Sequence, residues 1–410
     1  MSIVYALIIR FYRIMIGLVS LWNPKAKNWI VGRKDWESKL NQKMGTKENI
    51  HWFHCASLGE FEQARPLIEK IKSEKSSSSI LVSFFSPSGY EQRKNYELAD
   101  YVCYLPLDTK RNTKKFISSL NITKAFFVKY EVWPNYFKEL NRQKIDFYII
   151  SATFRKSQIY FKPTGIWFKN LLKLPTQIFV QEEASKILLS ENNIESIVSG
   201  DTRYDRVLST SKKSTPNPII EQFYSSKFTL IAGSSWEKEE ELILKAFYAS
   251  NSSFKVVFAP HDISESHVKG IVDRVKKESK YIKYSDIKEG VNLQEYDILI
   301  LDNIGLLSNA YQYGSVAFIG GGFNNALHNI LEPATFGLPV FYGNNHEKFP
   351  EANDMKLNGA GVDIEGYLDF EKELELILED KELLAKKMEL NKNFIQSRTG
   401  ATKLIYTHCI

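Results

Sequence analysis

Cysteine is scarce: three in 410 residues, Cys55, Cys103 and Cys409, with no CxxC pair among them. That excludes a disulfide framework and a cysteine-based zinc site, and it fits a reducing compartment. The seven histidines are scattered, with only His51/His54 and His261/His267 near each other. No HExxH, Asp-x-Asp or Walker A sequence occurs anywhere. No metal site, no cofactor and no P-loop are therefore expected. Neither sign of charge dominates: 54 Lys+Arg stand against 48 Asp+Glu, a net +6. That is too little to point to nucleic acid. No uninterrupted apolar run is long enough for a polytopic membrane protein. The remainder is ordinary globular composition, 43% hydrophobic and 13% aromatic. At ~100–200 residues per domain, this length predicts two domains.

Residues 3–22 are strongly apolar but carry Arg10 and Arg13. On a helix, Ala6, Arg10, Arg13, Gly17 and Ser20 share one stripe, and the rest of the surface is aliphatic or aromatic. No small-x-small cleavage site precedes Asn23-Pro24. Spanning the bilayer costs ~2.5–3.5 kcal/mol for each mid-membrane arginine. An interfacial anchor costs less, and Lys25, Lys27, Arg33 and Lys34 supply a basic cluster for anionic headgroups. The plainer alternative is a helix packed on the body of the protein. Residues 1–24 are read as a membrane-anchor helix, lying on or spanning the membrane.

Beyond it, strand-like runs at 50–55, 80–85, 125–128, 145–150 and 177–181 alternate with helix-like stretches. A second series follows at 228–232, 255–259, 297–301, 315–319 and 338–342. Such alternation predicts βαβ crossovers and parallel sheets. The expected organisation is a first Rossmann-like domain over 25–208, a Ser/Lys/Pro-rich linker over 209–218, and a second Rossmann-like domain over 219–410. The last helix is placed to pack back on the first domain. Residues 366–393 read as amphipathic helix. Two such domains predict a cleft, with ligands beyond the carboxyl ends of the strands.

The chemistry-bearing motifs all follow strands. His54-Cys55-Ala56-Ser57-Leu58-Gly59-Glu60 follows the first. Ser57-x-x-Glu60 is a capping box, yet a carboxylate at a strand-to-helix turn also suits a general base. Lys129-Tyr130-Glu131-Val132-Trp133-Pro134 follows 125–128. Glu131 is a helix-start carboxylate favoured by the macrodipole, or the second member of a catalytic pair. Gly200-Asp201-Thr202-Arg203 offers a cation that can stabilise leaving-group phosphate. Ala232-Gly233-Ser234-Ser235-Trp236-Glu237 reads mainly as a capped helix start. His261, after Pro260, is a surface histidine or a nucleotide contact. Gly320-Gly321-Gly322 leads toward Asn329-Ile330-Leu331-Glu332-Pro333. A glycine loop feeding a helix is a ready phosphate site, and Glu332 can accept ribose hydroxyls. Asn329-x-x-Glu332 also passes as a helix cap.

Together these residues resemble the 3-deoxy-D-manno-octulosonic acid (Kdo) transferases of lipopolysaccharide assembly. The resemblance rests on His54 to Glu60, Glu131-Val132-Trp133-Pro134, Gly200 to Asp205, Ala232-Gly233-Ser234, and Gly320-Gly321 with His328 to Pro333. These occur in the family's order along nearly the whole chain. Arg203 stands where that family usually has Lys, and His261 where it usually has Arg. The resemblance implies an α/β GT-B glycosyltransferase fold, CMP-Kdo as donor, and a lipid A precursor of the lipid IVA type as acceptor at the cytoplasmic face of the inner membrane. It implies Glu60 as general base, with Glu131 and Arg203 as transition-state stabilisers. It also implies Pro260, His261, Ile304, Gly305, Leu306 and residues Asn329, Ile330, Leu331 and Glu332 as nucleotide contacts, beside Gly320 and Gly321. One base and positive support for the leaving phosphate suffice without metal. The alternatives are a GT-B transferase or epimerase using a nucleoside diphosphate sugar, and a membrane-attached nucleotide-binding protein without catalysis.

Overall fold

Short runs of Val, Ile and Phe bounded by polar turns become the strands of two parallel sheets. The computed structural model describes residues 2–224 and 227–410. It divides into a first unit through Arg206 that also takes Thr399–Ile410, and a second unit of Val207–Arg398.

The first unit contains β1 (Ile50–Cys55), β2 (Ser79–Phe84), β3 (Tyr101–Tyr104), β4 (Ile122–Val128), β5 (Asp146–Ala152), β6 (Gln177–Val180) and β7 (Ile197–Val198). Their order is β3-β2-β1-β4-β5-β6-β7, with every pair parallel. All six residues of β1 are buried. Ile50 and Trp52 enter one hydrophobic layer, Phe53 and Cys55 the other. Helices therefore cover both faces, as a parallel sheet requires. Because β1 and β4 are parallel neighbours, the turns that follow them open on one edge.

The second unit contains β8 (Thr229–Ser235), β9 (Lys255–Pro260), β10 (Tyr281–Lys283), β11 (Ile298–Ile300), β12 (Val316–Ile319), β13 (Val340–Gly343) and β14 (Gly361–Ile364). Their order is β10-β11-β9-β8-β12-β13-β14, again all parallel. The turns after β8, β9, β11 and β12 thus share one edge too.

Several boundaries differ from expectation. The 209–218 stretch is not a free linker throughout. The Thr202–Lys212 helix runs into it, anchored by buried Tyr204 and Val207. The Pro218–Tyr224 helix begins at its end, capped by Asn217, whose side chain accepts from the amides of Ile219 and Ile220. Only 213–217 lies between the two helices. The Ala401–Cys409 helix belongs to the first unit, so the second ends at Arg398 rather than 410. Asp205 accepts from the amides of Gly400 and Thr402, and Ile405 and Cys409 enter the first unit's core. The helical stretch expected over 366–393 is two helices, Tyr367–Glu379 and Lys381–Gln396. Asp380 breaks it by capping the second through the amides of Glu382 and Leu383.

The N-terminal apolar stretch is a helix, Ser2–Val19. Ile3, Leu7, Phe11, Ile14 and Leu18 on it are each more than half exposed. No helix among the described residues is long and apolar enough to cross a membrane. Arg33 is drawn inward rather than left on the basic surface. Its guanidinium donates to the carbonyls of Leu105 (2.8 Å), Phe85 (2.9 Å) and Trp29 (3.1 Å) and lies over the Trp29 ring. Burial brings its pKa down to about 9.

Candidate functional site

In the first unit, Ser57 caps the Leu58–Glu74 helix, its hydroxyl accepting from the Glu60 amide at 3.4 Å. One Glu60 carboxylate oxygen, Oε2, accepts from the Ala56 amide in return. The capping geometry is therefore present, but it uses only one oxygen. The side chain is buried, with 7% of the residue exposed. Burial raises its pKa, opposed by the Ala56 amide, by Lys129 and by the Ser57 contact.

Glu131 stands on the neighbouring turn, after β4. Burial first, then the charge of Glu60, pushes its pKa up to about 8. The two glutamates lie within electrostatic reach of each other, and Lys129 within reach of both. Lys129 adopts a left-handed backbone (φ 61°) as the chain leaves the strand. Two interacting carboxylates with raised pKa values favour one proton shared at neutral pH, leaving one base and one acid.

Arg203 lies in the same unit but in a separate cluster. Asp201 grips it through Nε at 2.8 Å and Nη2 at 2.7 Å. Asp201 accepts from Gln63 at 3.3 Å, and Thr202 donates to the Gln63 carbonyl at 2.6 Å. Gln63 lies three residues beyond Glu60 on the Leu58–Glu74 helix, so that helix carries both clusters.

In the second unit, the His261 ring stacks on His328 with centroids 4.4 Å apart and packs on Trp236 at 4.8 Å. Burial, then His261, brings the His328 pKa down to about 4. Pro260 ends β9 and is buried, while His261 is exposed. Ser308 donates to Glu332 at 3.0 Å, and Asn329 donates to its other oxygen at 3.0 Å. This joins the 304–308 turn to the 329–332 turn. Ile304 is 88% exposed, and Gly305 has φ +92° with open space where a Cβ would stand.

The glycine loop is more tightly built than a bare phosphate cradle. The Gly320 amide donates to the Gly233 carbonyl (3.0 Å) and the Gly321 amide to buried Glu239 (2.9 Å). A Cβ on Gly320 would strike the Ser234 carbonyl, and one on Gly321, at φ +86°, the Ala326 carbonyl. These glycines allow close chain approach, and both amides are already bonded. The helix expected directly after them begins only at Leu331 and runs to Thr335, with Asn329 accepting from the Leu331 amide. Ile330 and Leu331 are buried.

Asp201, Glu239, Trp236, Ser308 and Lys129 had no assigned role in the sequence reading. A buried acid at a helix start, as at Glu239, was the available signal. No cluster of three or more His, Cys, Asp or Glu side chains that could hold a metal ion occurs among the described residues.

Residues 34–206 match the family model described as 3-deoxy-D-manno-octulosonic-acid transferase. A 3-deoxy-D-manno-octulosonic acid transferase of Aquifex aeolicus is 28% identical over 83% of this chain and 87% of its own. A bifunctional glycosyltransferase/methyltransferase of Fusobacterium nucleatum is 25% identical over 87% of this chain, which spans 57% of that relative's length. Among solved structures, a UDP-GlcNAc 2-epimerase from Neisseria meningitidis superposes with a TM-score of 0.59 at 16% identity, covering 87% of this chain and 98% of that one. That likeness shows the fold alone, two parallel α/β domains of GT-B type. By these matches the chain is similar to 3-deoxy-D-manno-octulosonic acid transferases, through the family model over residues 34–206 and through relatives below 30% identity along most of its length.

Proposed function

We propose that the protein transfers Kdo from CMP-Kdo to a lipid A precursor of the lipid IVA type in lipopolysaccharide core assembly. The observation that carries this reading is the coupled pair Glu60 and Glu131 on adjacent turns of a family-matched unit. Glu60 is the general base. Its Oε2 is held by the Ala56 amide, and its other oxygen takes the proton of the acceptor hydroxyl. The acceptor oxygen then bonds to the anomeric carbon of Kdo as the bond from that carbon to the CMP phosphate breaks. Glu131 keeps its proton at neutral pH, sparing the base a like charge and offering a hydrogen-bond donor. Arg203, fixed by Asp201, supplies positive charge for the transition state. Glu332, Asn329 and the exposed Ile304-Gly305-Leu306 turn hold the nucleoside, and Pro260-His261 faces its phosphate.

The acceptor is a phosphorylated lipid, and the enzyme works on the cytoplasmic side of the inner membrane. The exposed apolar face of the Ser2–Val19 helix, with exposed Lys25, Lys27 and Lys34 beyond it, supports an interfacial anchor. Purified protein assayed with CMP-Kdo and with UDP-sugars, each with and without lipid IVA, tests the reading. Kdo transfer dependent on lipid IVA is expected. Turnover of a UDP-sugar in its place would make the chain a different GT-B enzyme, and binding without turnover a non-catalytic one.

A further inference from the structure

The Ser2–Val19 helix turns an apolar face outward, but its inward contacts converge on one segment. Tyr5 donates to Asp108 at 2.7 Å. Asp108 is buried and accepts from the amides of Asn135 and Tyr136, both at 3.2 Å, while its carbonyl accepts from the Asn135 side chain at 2.7 Å. These amides open the Pro134–Arg142 helix, which begins three residues after Glu131. A second route runs through rings. Tyr5 packs on Phe168 at 6.4 Å, Phe168 on Tyr160 at 6.4 Å, and the Tyr160 hydroxyl donates to the Tyr130 carbonyl at 2.9 Å. A third starts at Tyr12, which stacks on Phe85 at 6.1 Å; Phe85 packs on Trp133 at 5.1 Å, and its carbonyl is held by Arg33. Residues 130, 133 and 135–136 are thus each tied to this helix, and they bracket Glu131 on both sides. The Tyr5 hydroxyl is also within electrostatic reach of Glu131.

We propose that Tyr5 and Tyr12 are positioning residues, and that the apolar N-terminal helix is a strut that holds the Glu131 turn in its reactive conformation. A helix needed only for attachment requires an outward apolar face and any inward packing. This one directs Tyr5, and the packed side of the partly exposed Tyr12 ring, to the segment carrying a reacting-site carboxylate. Small displacements of such a group cost large factors in rate. Seating the helix on a lipid surface and setting Glu131 are then one structural event.

The proposal rests on Glu131 being part of the reaction site. Tyr5→Phe removes the hydroxyl and keeps the ring, and Tyr12→Leu removes the stack. Each is expected to lower kcat about tenfold, with KM for CMP-Kdo unchanged and flotation with anionic vesicles unchanged, because neither substitution adds charge or alters the exposed Ile3, Leu7, Phe11, Ile14 and Leu18. Amide hydrogen exchange over 129–137 should accelerate while β1 and β4 stay protected. Wild-type kcat with unaltered exchange over 129–137 would overturn the proposal. So would loss of protection in β1 and β4, which would make these tyrosines determinants of the fold. Should the wild type transfer no Kdo, the functional reading fails, while the exchange measurement still decides whether the helix holds the turn.

Discussion

Replacing Glu131 with Gln should stabilise the first unit, and increasingly so as pH rises. Burial and the charge of Glu60 lift the carboxyl from 4.5 to about 8 in the folded chain. Between those values the folded protein binds a proton that the unfolded chain has released. The protonated group's contribution is therefore complete below about 4.5 and is lost as pH climbs through about 8. At ~1.4 kcal/mol per pH unit, this difference makes ionisation in the fold costlier by at most about 5 kcal/mol. Relaxation around a group coupled to Glu60 leaves a realistic ~2–4 kcal/mol between pH 5 and pH 9. Gln keeps the shape and the donor and does not ionise. Urea unfolding at pH 5, 7 and 9 measures the effect. Tryptophan fluorescence reports the relevant unit, because Trp22, Trp29, Trp36, Trp52, Trp133 and Trp167 lie in it and only Trp236 lies outside. The variant should unfold near the wild-type midpoint at pH 5 and well above it at pH 9. Parallel pH dependence of the two proteins would refute the premise that Glu131 is held protonated.

Gly321→Ala should destabilise the second unit by roughly 1–3 kcal/mol, since φ is +86° and the new methyl meets the Ala326 carbonyl; a wild-type urea midpoint would contradict this. Glu332→Ala should weaken cytidine monophosphate binding by ~1.5–3 kcal/mol in a calorimetric titration, and unchanged affinity would reduce Glu332 to a partner of Asn329 and Ser308. Lys255 is buried, donates to the carbonyls of Phe223 (2.8 Å) and Gln294 (3.1 Å), and has its pKa brought down to about 8, mainly by burial. The unfolded chain holds that proton up to about 10.5, so this group makes stability rise between pH 8 and 10.5. Lys255→Met should flatten that rise.

The ten strands legible in the sequence are buried runs of Val, Ile and Phe. The four that were not, β3, β7, β10 and β14, are the four edges of the two sheets. β7, β10 and β14 have two or fewer fully buried residues, so the continuous apolar signal of a central parallel strand is missing, and in β3 tyrosines and a cysteine surround a single aliphatic residue, Val102. The motifs around Glu60, Glu131, His261 and Gly320 were visible because each follows a central strand, where the turn leaving the strand constrains residue type; Gly200 to Asp205 instead follows the edge strand β7. Partners far along the chain were not. Asp108 and the Asn135 amide are 27 residues apart, and Glu239 and the Gly321 amide 82. No local period links such positions; only the fold joins them. The 209–218 stretch misled because its Ser and Lys residues complete the exposed face of a helix whose buried face, Tyr204 and Val207, lies upstream.

Transfer of Kdo from CMP-Kdo to lipid IVA by wild type and by Glu60→Gln, measured together with cytidine monophosphate affinity, tests the central claim most directly. A general base at Glu60 predicts a ~10²–10⁴-fold loss of turnover with nucleotide affinity unchanged, because the residues proposed to hold the nucleotide belong to the other unit. Near wild-type turnover by a folded Glu60→Gln protein would contradict it and leave Glu60 as no more than the cap of its helix.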